Sequence, residues 1–123
     1  MTIQQLYEKI GGNYDQAVRV MKKDKLIDKY VRKLRNSDVG DMLAQAAGTM
    51  DGEKLFESAH AMKGVCSNLG LDALAGAADE ITEEFRPGNA RKLSDDAVRE
   101  KLDNLLQRYR ATVECIAEYE ADN

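Results

Sequence analysis

The stretch Leu55–Gly70, LFESAHAMKGVCSNLG, decides how this chain is read. Its apolar residues Leu55, Ala59, Met62, Cys66 and Leu69 recur at spacings of 4, 3, 4 and 3, the pattern of a helix with one face in a core. At ~100° per residue, His60 lies roughly 140° from the centre of that stripe. The only histidine of the chain is therefore expected on the outer face of a helix. Phe56 falls one turn before it, Gly64 one turn after and Ser67 two turns after. Lys63 flanks the same face, and Glu53 and Glu57 lie on the N-terminal side.

Two of these residues are costly choices. Glycine inside a helix is ~1 kcal/mol worse than alanine, and its usual warrant is a close approach to the backbone. A phenylalanine on an outer face needs a partner to cover it. Together they describe an accessible imidazole in a shallow, partly apolar docking surface. Plainer readings exist for each. A surface histidine and a surface lysine are often solvated groups without a role. Gly64 would also suit tight packing of a neighbouring helix, and Phe56 would also suit cover by the N-terminal segment.

Working outward, the punctuation is helix and turn throughout. Thr2 with Gln5 forms a capping box for a short first helix that Gly11 and Gly12 stop. Asn13 with Gln16 repeats the signal for a segment carrying Tyr14, Val18 and Met21, and the polar KKDK at 22–25 breaks or bends it. Leu26, Ile27, Tyr30, Val31 and Leu34 continue an amphipathic stripe to about Arg35. Ser37 is expected to cap a helix with Val39, Met42, Leu43 and Ala46, closed by TMDG at 49–52. Asp51 caps the histidine helix, which runs to about Leu69 and ends at Gly70. The next helix holds Leu71, Leu74, Ala78, Ile81 and Phe85 before RPGN at 86–89, whose Pro87 and Gly88 open a loop to Ser94. Ser94 then caps a long final helix with Val98, Leu102, Leu105, Tyr109, Val113 and Ile116 on one face, and the last residues, EADN, are expected to fray.

Short links between amphipathic helices imply antiparallel neighbours. The expected fold is all-α, an antiparallel up-down four-helix bundle with additional short N-terminal helices packed at one end. The 123 residues form one domain, with N-terminal helices in 1–36 and the four-helix core in 37–120.

Composition narrows the function. The net charge is −4 with acidic and basic residues mixed, and no basic tract exists to neutralise a run of phosphates, which argues against nucleic acid as a partner. No window approaches the ~18 apolar residues of a membrane helix, and the N-terminus lacks the basic start and apolar core of a secretory signal. The expected compartment is the cytoplasm. Cys66 and Cys115 lie on core stripes, outside metal-type spacing, and are read as reduced thiols. One histidine and two separated cysteines do not assemble an ordinary zinc site. No serine or cysteine has a second histidine to activate it, and no glycine-rich nucleotide loop supports a kinase.

Ala59–Gly70, AHAMKGVCSNLG, resembles the motif of histidine-containing phosphotransfer domains, roughly A-H-x-L-K-G-x-x-x-x-x-G. His60, Lys63, Gly64 and Gly70 match, and Met62 stands where leucine is usual. The resemblance extends to IGGNYD at 10–15, DGEKLFESAH at 51–60 and LAGAADEI at 74–81, and so spans essentially the whole chain. It implies a bundle whose exposed histidine accepts a phosphoryl group from a receiver-domain aspartate or a histidine kinase and passes it to another aspartate. By position, His60 would be phosphorylated, Lys63 would sit beside the phosphoryl oxygens, and Gly64 would leave room for the receiver. Phe56, Glu57, Ser67 and Asn68 would belong to the docking surface. The family suggests Nε2 as the phosphorylated nitrogen. The length leaves no room for a kinase or receiver domain, so the resemblance implies a stand-alone module in a two-component phosphorelay.

The chemistry is consistent with this. An imidazole of ordinary pKa ~6.5 is a nitrogen nucleophile near neutral pH without a dedicated base. Phosphoryl transfer needs in-line geometry and neutralised equatorial oxygens. Lys63 supplies one charge, and the expected Mg²⁺ belongs to the partner receiver, with no cofactor held by this chain. The competing reading is a non-catalytic helical interaction module with the same fold, in which His60 is incidental.

Overall fold

The computed structural model describes residues 1–122, which contain seven α-helices and no strand among the described residues. In order they are α1 (Ile3–Ile10), α2 (Tyr14–Met21), α3 (Asp24–Arg35), α4 (Val39–Thr49), α5 (Gly52–Asn68), α6 (Asp72–Phe85) and α7 (Asp95–Asp122). Helices α4, α5, α6 and α7 close a ring in which each packs on its sequence neighbour and α7 returns to α4, with α5 against α6 the most extensive contact. This is the expected all-α four-helix bundle. Leu43, Leu55, Met62, Ile81, Leu102, Leu105 and Ile116 fill its interior and are all fully buried.

Local chemistry sets most boundaries. The capping box of Thr2 and Gln5 is present, with Gly11 left-handed at the helix end. Asn13 accepts from Gln16 N–H at 3.0 Å, Asp51 from Lys54 N–H at 3.1 Å and Ser94 from Ala97 N–H at 3.1 Å. The KKDK segment is a true break, with Lys22 left-handed after α2 and Lys23 in extended conformation before α3. One cap is displaced. Ser37 does not begin α4 by the usual geometry; Asp38 occupies the cap position and the Ser37 hydroxyl accepts from Val39 N–H at 3.1 Å.

A length mismatch explains the N-terminal helices. At ~1.5 Å per residue, α7 spans about 42 Å and α5 about 26 Å, so α7 overhangs the bundle. Helices α1 and α3 cover that overhang. Tyr109 donates to the Leu34 carbonyl at 3.3 Å, Tyr119 to Asp28 at 2.6 Å, and Arg35 to Glu120 at 2.8 Å. Lys9 pairs with Glu118, and the N-terminal amine lies 3.5 Å from Asp122. The same end is tied to α5 and α6. Tyr7 donates to the Leu69 carbonyl at 2.6 Å, Asn13 N–H to the Gly70 carbonyl at 2.8 Å, and the Asn13 side chain to Asp72 at 3.3 Å.

These ties correct the expectation that the C-terminus frays. Glu120, Ala121 and Asp122 are helical, with Glu120 itself paired to Arg35 of α3 and Asp122 beside the N-terminal amine; Asn123 lies outside the described residues. Three assignments to apolar stripes are also corrected. Met42, Leu26 and Tyr30 are exposed, because the 3–4 spacing of Leu43 and Ala46, and of Ile27, Val31 and Leu34, already fills the buried face. Both cysteines are free thiols: Cys66 is buried, and desolvation pushes its pKa to about 12, while Cys115 is half-buried. No helix among the described residues is long and apolar enough to cross a membrane.

Candidate functional site

The site is built on α5 and completed by the C-terminal end of α6. Leu55, Ala59, Met62 and Cys66 are fully buried and fix the rotation of α5, which turns His60 to solvent, as the 3–4 pattern required. The imidazole stacks on Phe56, one turn earlier, with ring centroids 5.7 Å apart and planes 8° from parallel. Among the described residues, neither imidazole nitrogen has a hydrogen-bond partner.

Phe56 is half-buried, and part of its cover comes from α6. The guanidinium of Arg86 lies 5.3 Å from the Phe56 centroid. Pro87 ends α6 at Phe85 and holds Arg86 in extended backbone (φ −60°, ψ 129°). Glu83 grips Arg86 through Nε at 2.9 Å and Nη2 at 3.0 Å, and Asn89 donates to the Glu83 carbonyl at 3.0 Å. The Arg86 hydrogen bond holds the Glu83 carboxyl below the usual carboxylate range.

Lys63 does not hang free. Its Nζ lies 2.8 Å from Asp79 Oδ1 on α6, and both side chains are more than a third exposed. Such an exposed pair contributes about 0–1 kcal/mol. Gly64 is exposed, and a Cβ built there would meet nothing within 4 Å. Its missing side chain therefore serves no packing within the chain. Glu57, Ser67 and Asn68 are exposed on the same helix.

Gly70 plays a different part from Gly64. Its φ is +68°, and a Cβ would lie 2.2 Å from the Asn13 carbonyl oxygen. It ends α5 and lets the start of α2 touch the turn, so its role is architectural.

A family model for the Hpt domain matches residues 28–112. The chain belongs to the Hpt domain family. No curated protein and no solved structure gives a significant match. The Hpt match begins inside α3, upstream of the 37–120 core expected from the sequence, and it spans all of α4, α5 and α6. Hpt domains carry histidine phosphotransfer in phosphorelays and act with kinases and receiver domains in general.

Sequence reasoning missed two features of this Hpt domain. Arg86, Asp79 and Glu83 come to the histidine face from α6, and no periodicity within α5 points to them. Val65 is 41% exposed and, with Met21, Tyr30 and Asn68, lines an apolar groove between α5 and the N-terminal helices. A valine outside the 3–4 seam of α5 was the available signal for that groove. No group of three or more metal-ligating side chains gathers among the described residues.

Proposed function

We propose that this Hpt domain is a phosphoryl carrier in a two-component phosphorelay, with His60 as the residue that accepts and donates the group. The observation that carries the proposal is the exposed imidazole without a hydrogen bond, beside a glycine whose Cβ position is open space. In the transfer, a neutral imidazole nitrogen attacks the phosphorus of a receiver aspartyl phosphate in line. The P–N bond forms as the P–O bond to the carboxylate breaks, the aspartate leaves with the electron pair, and the imidazolium releases a proton to water. The reverse step returns the group to a receiver aspartate.

Lys63 exchanges Asp79 for the phosphoryl oxygens and neutralises part of their charge. Gly64 admits the receiver backbone, and Phe56, Glu57, Ser67 and Asn68 form part of its footprint. Mg²⁺ enters with the receiver, so most of the transfer machinery is the partner's, and the chain is a carrier rather than an independent enzyme. An upstream histidine kinase or a phosphorylated receiver supplies the group, and the reading places the reaction in the cytoplasm.

The test is transfer itself. The protein is incubated with a panel of receiver domains phosphorylated with acetyl phosphate, and intact mass is followed on both chains. Transfer of one phosphoryl group to the wild type, absent with His60→Gln, supports the reading. A folded wild type that takes no group from any receiver, or a His60→Gln variant that takes it equally, overturns it.

A further inference from the structure

The imidazole of His60 poses a problem of orientation. Histidines that do chemistry are usually held by a hydrogen bond to one ring nitrogen, which sets the plane of the ring and the tautomer. Here neither nitrogen has a hydrogen-bond partner among the described residues, and the torsion about Cβ–Cγ is intrinsically broad. An unrestrained ring would spend much of its time with the reacting nitrogen off the line of attack, and orientation is a large part of the barrier in group transfer. The ring contact made by the imidazole is with Phe56, 5.7 Å away and only 8° from parallel.

We infer that Phe56 is a positioning residue for His60, and that Arg86 is the brace that holds Phe56 in place. The inference rests on the phosphotransfer reading of His60. Residues four apart on a helix are neighbours, so the stack follows from the spacing of Phe56 and His60 once both take helical rotamers. A parallel aromatic neighbour restricts the imidazole plane without engaging a nitrogen, so both nitrogens stay open, one to react and one to exchange protons with water.

Phe56 alone would be a half-covered side chain free to change rotamer. Arg86 supplies the missing wall. Its guanidinium lies 5.3 Å from the Phe56 ring, and it is itself fixed by two bonds to Glu83 and by the extended backbone before Pro87. The chain of contacts runs from the α6 end through Arg86 and Phe56 to the imidazole. Lys63 and Asp79 pair with each other beside this column, and their charges reinforce it, Lys63 acting on Glu83 and Asp79 on Arg86. Phe56 thus acts before any partner arrives, in addition to whatever area it presents for docking.

This is tested without a receiver. Phosphoramidate transfers its phosphoryl group to an accessible imidazole as its P–N bond breaks and ammonia leaves. The rate constant is measured by intact mass for wild type, Phe56→Leu, Phe56→Tyr and Arg86→Gln. In parallel, NMR records the ring-proton shifts of His60 and its nuclear Overhauser contacts to Phe56.

The expected result is a rate at least about threefold lower with Phe56→Leu, restored with Phe56→Tyr, and intermediate with Arg86→Gln. The ring-current shift of His60 should vanish with Phe56→Leu and persist with Phe56→Tyr. Equal rates in all four proteins, with the wild-type ring contacts present, would overturn the positioning role and leave phosphotransfer standing. Absence of Phe56–His60 ring contacts in the wild type would also overturn it. Absence of any His60 adduct in a wild type that shows those contacts would instead overturn the phosphotransfer reading on which the inference rests.

Discussion

His60, Gly64 and Lys63 occupy one helix face, yet they answer to different forces. The outward direction of His60 follows from the burial of Leu55, Ala59, Met62 and Cys66, so it was legible in the sequence from spacing alone. Gly64 was legible only as an oddity. The open space at its Cβ position excludes helix packing as its reason, which a sequence does not reveal. Gly64→Ala should therefore leave the fold intact and raise stability by up to about 1 kcal/mol, measured by urea unfolding. The same change should slow transfer from a phosphorylated receiver at least about tenfold while leaving phosphorylation by phosphoramidate within twofold of wild type. A receiver transfer rate unaffected by the added methyl would count against close approach at this position. Arg86 was not legible, because its role depends on where α6 ends relative to Phe56, and that distance is a property of the hairpin.

At the scale of elements, the α5–α6 hairpin and the loop after it hold the site in shape. Gly70, matched in the motif, proves to be a backbone requirement: a positive φ together with a carbonyl 2.2 Å from any Cβ. Gly70→Ala should cost at least about 2 kcal/mol, since the strain and the clash both separate α2 from the α5–α6 turn; a variant within 0.5 kcal/mol of wild type would contradict the geometry. The α6–α7 loop is pinned by a group that composition gave no reason to single out. Glu84 is buried, and accepts from Arg91 Nε at 3.0 Å, Lys92 N–H at 3.0 Å and Leu93 N–H at 2.9 Å. These bonds, the Leu93 N–H foremost, hold its carboxyl below its ordinary value of 4.5. A depressed carboxyl stabilises the fold above its unfolded pKa, and the contribution is lost as pH falls through the lower folded value. Wild-type stability should therefore decline below about pH 4.5, and Glu84→Gln should flatten part of that decline while costing about 2 kcal/mol at pH 7. An unchanged acid profile in the variant would show that Glu84 does not carry the linkage.

For the whole molecule, the helical class and the order of helices were readable because nearly every break carries its own chemistry: a capping box, Asx caps, a left-handed glycine, Pro87. What was not readable is how α1 and α3 meet the overhang of α7, since Tyr109, Tyr119, Arg35 and Glu120 are joined across long stretches of sequence. The same physics accounts for the error at the C-terminus, where polar residues expected to fray serve as anchors. The division of labour is clear. The bundle and its N-terminal cover provide a rigid frame, α5 presents one imidazole outside it, and α6 contributes the groups around that imidazole.

The central claim is that His60 is a reactive carrier of a phosphoryl group, and the most direct measurement needs no partner. Purified protein is treated with phosphoramidate beside a His60→Gln control, and the adduct is followed by intact mass and phosphorus NMR. A single acid-labile, base-stable adduct on the wild type, absent from the control, is the predicted result. A folded wild type that remains unmodified, or a control that acquires the same adduct, would contradict the account.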